Sequence, residues 1–168
     1  MLFNNIFATF DDPSADLDTT QVLGINDTDQ IVGQYQAGGV SHSFLLSSGV
    51  YTTLDDPLAT MGTFAFGIND LGQIVGDYVN GTGDHGYLYN PNGGTYTTLD
   101  DPLAAAPGDT VAEGINASGL IVGSFVDATG AIHGFLYIGG TYNNRIGKWR
   151  IPSADESWGA VESYWGRK

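Results

Sequence analysis

One pattern returns three times along this chain, and its return distance limits what the chain can fold into. Gly-Ile-Asn, four residues, then Ile-Val-Gly-x-Tyr/Phe occurs from Gly24, from Gly67 and from Gly114, at intervals of 43 and 47. An Asp-Asp-Pro triplet precedes each copy, its prolines Pro13, Pro57 and Pro102 lying 44 and 45 apart. Repetition at 20–50 residues marks units that bury their apolar faces on one another, so the fold must be a stack, ring or array of like parts. The copies run over residues 9–51, 52–96 and 97–142, within a repeat region of 1–144. Their insertions fall between motifs, where loops belong.

Each copy reads as four short strands. Gly-x-Tyr-Thr-Thr-Leu alternates and is rich in β-branched residues, and the proline after Asp-Asp ends it because proline cannot donate to a ladder. A strand ending in Gly-Ile-Asn follows, then a tight turn into Ile-Val-Gly-x-Tyr/Phe. The turn carries Gly72 in copy two and Gly119 in copy three, at a place suited to a left-handed residue. Asp29 stands there in copy one and tolerates that conformation better than most side chains. The last strand begins at His42, His85 or His133. No stretch shows a sustained 3.6-residue period. The expectation is an all-β protein of tandem four-stranded antiparallel repeats, built as β-propeller blades, with a β-trefoil as the rival. Propellers typically hold 4–8 blades. Three copies therefore imply that two chains close one ring, that the ends supply another blade, or that the array is longer.

Residues 145–168 break the pattern. They hold Trp149, Trp158 and Trp165 and all five basic residues, Arg145, Lys148, Arg150, Arg167 and Lys168. This basic, Trp-containing tail either covers a sheet edge, meets a second subunit, or is disordered or foreign to the repeat domain. Three of the nineteen acids lie there too, which leaves sixteen in residues 1–144 with no Lys or Arg beside them. Water, backbone N–H groups or cations must satisfy those carboxylates. Nucleic acid is a poor partner and none is expected, because nothing in the repeats would neutralise phosphates. No apolar run approaches the ~20 residues of a membrane span, and the first residues carry no basic, apolar leader. Without cysteine there is neither a disulfide framework nor a thiolate metal site.

The Gly-Ile-Asn…Ile-Val-Gly-x-Tyr/Phe pattern, followed by His42-Ser43-Phe44, His85-Gly86-Tyr87 and His133-Gly134-Phe135, resembles the extracellular HAF-repeat family. Ser or Gly replaces the family's middle Ala throughout, and the resemblance covers about residues 9–142. It implies a bacterial secreted or cell-surface protein with a variable number of repeats, which suits blades better than a trefoil. It implies no particular reaction.

Three repeated polar sets are the candidate sites. Asp11-Asp12, Asp55-Asp56 and Asp100-Asp101 offer paired hard oxygens to Ca²⁺, which takes 6–8 of them; alternatively each Asp caps a turn before its proline. Asn26, Asn69 and Asn116 could join them as neutral ligands, or shape the hairpin turn. His42, His85 and His133 could converge as ligands or as a catalytic base, or each could bond a neighbouring repeat and hold register. Asp84 beside His85 is the one acid–imidazole neighbour pair that the other copies lack, although neighbours in a strand face opposite ways. Asp77 breaks symmetry too, replacing Gln34 and Ser124. No nucleophile elbow, phosphate loop, dinucleotide fingerprint or His-Glu-x-x-His is present, so no organic cofactor is expected.

Three functions follow as expectations. The first is an acidic module that binds a divalent cation and presents loops to a partner, such as a glycan or a small carbonyl compound. The second is a calcium-dependent hydrolase of lactones or esters, an inference by fold analogy alone. The third is a structural or adhesive unit, with a homo-oligomer closing the ring.

Overall fold

The computed structural model describes residues 8–105 and 108–143. Residues 1–7 and the basic tail, 145–168, lie outside this range. The chain is all-β, with antiparallel sheets. Repeat one forms β1 (Gln21–Ile25), β2 (Ile31–Ala37), β3 (Val40–Ser47) and β4 (Val50–Thr53). Repeat two forms β5 (Gly62–Ile68), β6 (Ile74–Asn80), β7 (Gly83–Asn90) and β8 (Thr95–Leu99), and repeat three forms β9 (Thr110–Ile115), β10 (Ile121–Val126), β11 (Ile132–Ile138) and β12 (Thr141–Asn143). In each repeat the strands pair in chain order as an antiparallel meander. One parallel pairing, Ser41 with Gly62, stitches the first meander to the second. Among the described residues no helix is long and apolar enough to cross a membrane.

Local chemistry accounts for these strands. The β1–β2, β5–β6 and β9–β10 turns each contain one left-handed residue, Asp29 (φ 60°), Gly72 (φ 72°) and Gly119 (φ 77°). The sequence pattern predicts this position in all three copies, including the aspartate that replaces glycine. The Thr-Thr-Leu strand opens the second and third sequence copies, yet it pairs with the strand before it as the fourth member of the preceding sheet. Sequence repeats and sheets are therefore out of phase by one strand, and Asp-Asp-Pro is the link between consecutive sheets.

Apolar residues fill the spaces between sheets. Val32 and Leu54 of the first sheet meet Ala65, Ile68, Ile74, Tyr78 and Tyr87 of the second in one buried layer. Val75 and Leu99 then meet Ala112, Ile121, Phe125 and Phe135 in the next. Both layers follow one rule: Ile-Val sends its Ile toward the preceding sheet and its Val toward the following one, because alternate residues face opposite sides. Tyr35, Phe44 and Leu46 of repeat one form a third buried cluster, with Ala15, Ile31, Ala37 and Tyr51 packed against it. The first strands stand together, β5 touching both β1 and β9.

The glycine of Ile-Val-Gly is needed where the strands run closest. A Cβ at Gly33, Gly76 or Gly123 would lie 1.9, 1.8 or 2.0 Å from the backbone oxygen of Gln21, Phe64 or Val111. Backbone cannot yield as a flexible side chain would. Gly76→Ala is therefore expected to cost about 1–3 kcal/mol in a denaturant melt. Gly81→Ala, with nothing within 4 Å of its added carbon, should change stability by no more than ~0.5 kcal/mol.

Candidate functional site

The repeated Asp-Asp pair is divided between two sheets. Asp55 accepts from His42 Nδ1 at 2.7 Å, and Asp100 from His85 Nδ1 at 2.9 Å. Each of these histidines sits on the third strand of the sheet that the link has just left. The second aspartate belongs to the sheet ahead. Asp12, Asp56 and Asp101 donate their backbone N–H groups to Thr20, Thr63 and Thr110 at 3.0–3.1 Å, and all three aspartates are buried. Their Oδ1 atoms accept the N–H groups of Ser14, Leu58 and Leu103 at 2.8–2.9 Å, closing the turn over the proline. Burial raises the Asp56 carboxyl above its ordinary value, against the lowering pull of the Leu58 N–H and of nearby His85.

Each imidazole also lies flat on an aromatic ring across the hairpin. Ring centres are 5.2 Å apart for Tyr35–His42, 5.0 Å for Tyr78–His85 and 5.1 Å for Phe125–His133. The hydroxyls of Tyr35 and Tyr78 bond Thr53 and Thr98 on the fourth strand. The three histidines are held one per sheet. Among the described residues, no group of three or more His, Asp or Glu is arranged to hold a metal ion.

The asparagines of Gly-Ile-Asn do two things at once. Their Oδ1 atoms each accept two backbone N–H groups of their own turn, from Thr28 and Gln30, Leu71 and Gln73, and Ser118 and Leu120. Their Nδ2 groups run along the stack: Asn26 donates to the Asn69 carbonyl at 2.9 Å, and Asn69 to the Asn116 carbonyl at 3.1 Å. The turn-shaping role read from sequence is visible, and the cross-repeat ladder is an addition to it.

Asp84 and His85 are consecutive on β7 and face opposite sides of the sheet. The partners of His85 are Asp100, Thr82 and Asn80. Asp84 lies instead near Asp77, on the face turned toward repeat three. Asp77 is buried there, and desolvation, with the Asp84 charge as second cause, pushes its carboxyl up to about 7.

Repeat three departs from this scheme. No Asp-Asp-Pro follows β12, and His133 turns its Nε2 to Asp127 at 2.9 Å. Bonds from the Thr129 hydroxyl, then from His133 and from backbone N–H groups, hold the Asp127 carboxyl below the usual range. Beside His133 opens a cavity of about 650 Å³ lined by residues including Leu103, Phe125, Asp127, Ile132 and Gly134. Sequence reading passed over Asp127, and over Thr20, Thr63 and Thr110. These threonines recur four residues before each Gly-Ile-Asn, a signal as regular as the motifs themselves.

No family model, no curated protein and no solved structure matches this chain.

Two measurements check this geometry. His85→Gln and Asp100→Asn should each destabilise by on the order of 1–2 kcal/mol. A double-mutant cycle should return a coupling of about 1 kcal/mol, whereas additive losses would mean the pair does not act together. Asp77 has a raised folded-state pKa, so the folded protein binds its proton more tightly than the unfolded chain does. Its contribution is thus greatest at low pH and declines as pH rises from the unfolded value, ~4, to about 7. Asp77→Asn should melt several degrees above wild type near pH ~8 and close to it near pH ~4.5.

Proposed function

We propose that this chain is a non-enzymatic repeat module: three blades of β-propeller type and HAF-repeat kind, forming an acidic scaffold that presents loops to a ligand or partner. One observation carries this reading. Most of the polar groups that recur are spent on the fold itself: His42 and His85 on an Asp of the following link and His133 on Asp127 of its own hairpin, each second Asp on its own turn, and each Asn on its turn, with Asn26 and Asn69 also bonded to the next repeat. A catalytic residue must keep an atom free for substrate, and repetition of a bonded residue marks a joint.

The blade reading has support of its own. Each unit is a four-stranded meander, the first strands gather together, and apolar layers lie between successive sheets. Contacts run in series from repeat one to two and from two to three, whereas a trefoil joins all three units around a shared barrel. The resemblance to HAF repeats adds a secreted or surface-exposed setting in a bacterium to this proposal.

Calcium takes 6–8 oxygens. At the Asp-Asp-Pro links and hairpin turns, the Oδ1 atoms of the second aspartate and of the asparagine already accept backbone N–H groups. A cation there would have to share those oxygens, and among the described residues no three His, Asp or Glu are grouped to hold one. Melting curves in excess Ca²⁺ and in EDTA should therefore coincide, and a panel of lactones and esters should show no turnover in either. Saturation of a site 100-fold above its Kd would add about 2.7 kcal/mol. A rise of several degrees in Ca²⁺, with hydrolysis that EDTA abolishes, would replace the module with a calcium-dependent hydrolase.

A further inference from the structure

The two outer faces of the stack expose residues whose counterparts are buried at the two internal joints, although Tyr35 and Phe44 of repeat one are already covered by the chain itself. On the outside of repeat three, Val122 is 49% exposed, while its counterparts Val32 and Val75 are fully buried by the next sheet. Gly134 is exposed where Ser43 and Gly86 are buried, and Asn116 is exposed where Asn26 and Asn69 are buried. On the outside of repeat one, Ile25 is 64% exposed against 7% for Ile68, and Val22 is 44% exposed against none for Ala65.

The polar groups left over are complementary as well. Among the described residues, His133 Nδ1 has no partner, although the same atom of His42 and of His85 bonds the first aspartate of the following link. Asp11 is a first aspartate like Asp55 and Asp100, and its carboxylate is likewise without a hydrogen bond among the described residues. The Asn116 amide donates to nothing described, and the Asn26 carbonyl lacks the cross-repeat bond that the Asn69 and Asn116 carbonyls accept. The cavity beside His133 is lined by Phe125, Asp127 and Gly134 as well, whereas His85 in repeat two bonds Asp100 through its Nδ1. Phe10 occupies the sequence position of Leu54 and Leu99, which close the two internal layers.

We propose that the outer face of repeat three receives the Thr9–Pro13 link of a second copy of this chain, joining two chains head to tail. Asp11 of one copy enters the cavity and accepts from His133 Nδ1 of the other. Phe10 lies over Gly134 and against Val122, and Asn116 donates to the Asn26 carbonyl. This assignment rests on the blade reading above. Two such junctions unite six repeats, inside the ~4–8 range that closed rings use, and a head-to-tail contact that closes gives a finite assembly rather than a fibre.

Light scattering on the full chain at micromolar concentration tests it. The expected mass is twice the 17.7 kDa of one chain. Asp11→Lys and His133→Asp should each give single chains. Mixing the two should restore the double mass, because that pair forms one Lys–Asp junction and one native junction. Val122→Asp on the proposed face should halve the mass, while Val50→Asp, on an exposed hairpin of repeat one, should leave it doubled. Circular dichroism of each variant confirms that it is folded. A wild-type chain of single mass, or a double mass that survives Asp11→Lys and Val122→Asp, overturns the proposal. Single mass without hydrolysis removes the junction and leaves the module standing; a head-to-tail pair that hydrolyses esters under calcium does the reverse.

Discussion

The arrangement of the sheets depends on how one short link, Asp-Asp-Pro, distributes its bonds. The first carboxylate is held by an imidazole on the sheet behind, and the second residue is tied through its N–H to a threonine on the sheet ahead. Proline fixes the backbone immediately afterwards and donates nothing. Between the two anchors lies one peptide unit, so neither sheet can slide along the other without breaking a bond. The apolar layers supply the main driving force for stacking. They are non-directional, and the link gives them register. Its cost is a buried carboxylate, and the turn N–H accepted by each second aspartate offsets part of that cost.

A repeat region with sixteen acids and no lysine or arginine has to solve its electrostatics without salt bridges of the common kind. The solution is largely backbone. The Oδ1 atoms of Asp12, Asp56, Asp101 and Asp127 accept N–H groups two residues on, and Asp70 accepts the N–H of Asp27 from the neighbouring repeat. Histidines supply three further contacts. Asp77 is the place where this economy fails, since it is buried between sheets beside another acid. Gln34 and Ser124, at the same position, are neutral and bond Gln21 and Glu113.

Much of this was legible beforehand because repetition turns local chemistry into a pattern. Strands, turns and the left-handed Asp29 follow from residue types within four or five positions of one another. The turn roles of the second aspartates and of the asparagines belong to the same class, since donor and acceptor are two to four residues apart. The partners of the histidines are a different matter. A period reveals which residues are equivalent, and says nothing about which unlike positions meet. His42 and Asp55 are 13 residues apart, His85 and Asp100 15, and only the pairing of the third strand with the fourth brings each pair together. The proximity of Asp84 to Asp77 was hidden for the same reason, since it depends on cross-strand register. In repeat three, loss of Asp-Asp-Pro is plain in the sequence, but the move of His133 to Asp127 requires knowing what the triplet did elsewhere.

The asparagine ladder runs one way. The Asn26 and Asn69 amides donate toward the higher-numbered repeat and the Asn69 and Asn116 carbonyls accept from the lower, so the stack has a front and a back that cannot be exchanged. A unit inserted in the forward sense finds a donor on one side and an acceptor on the other, whatever its position in the series. A unit turned around would set donor against donor at one boundary and acceptor against acceptor at the other. Such a protein can lengthen or shorten by whole copies in tandem, at the level of its gene, without redesigning any boundary.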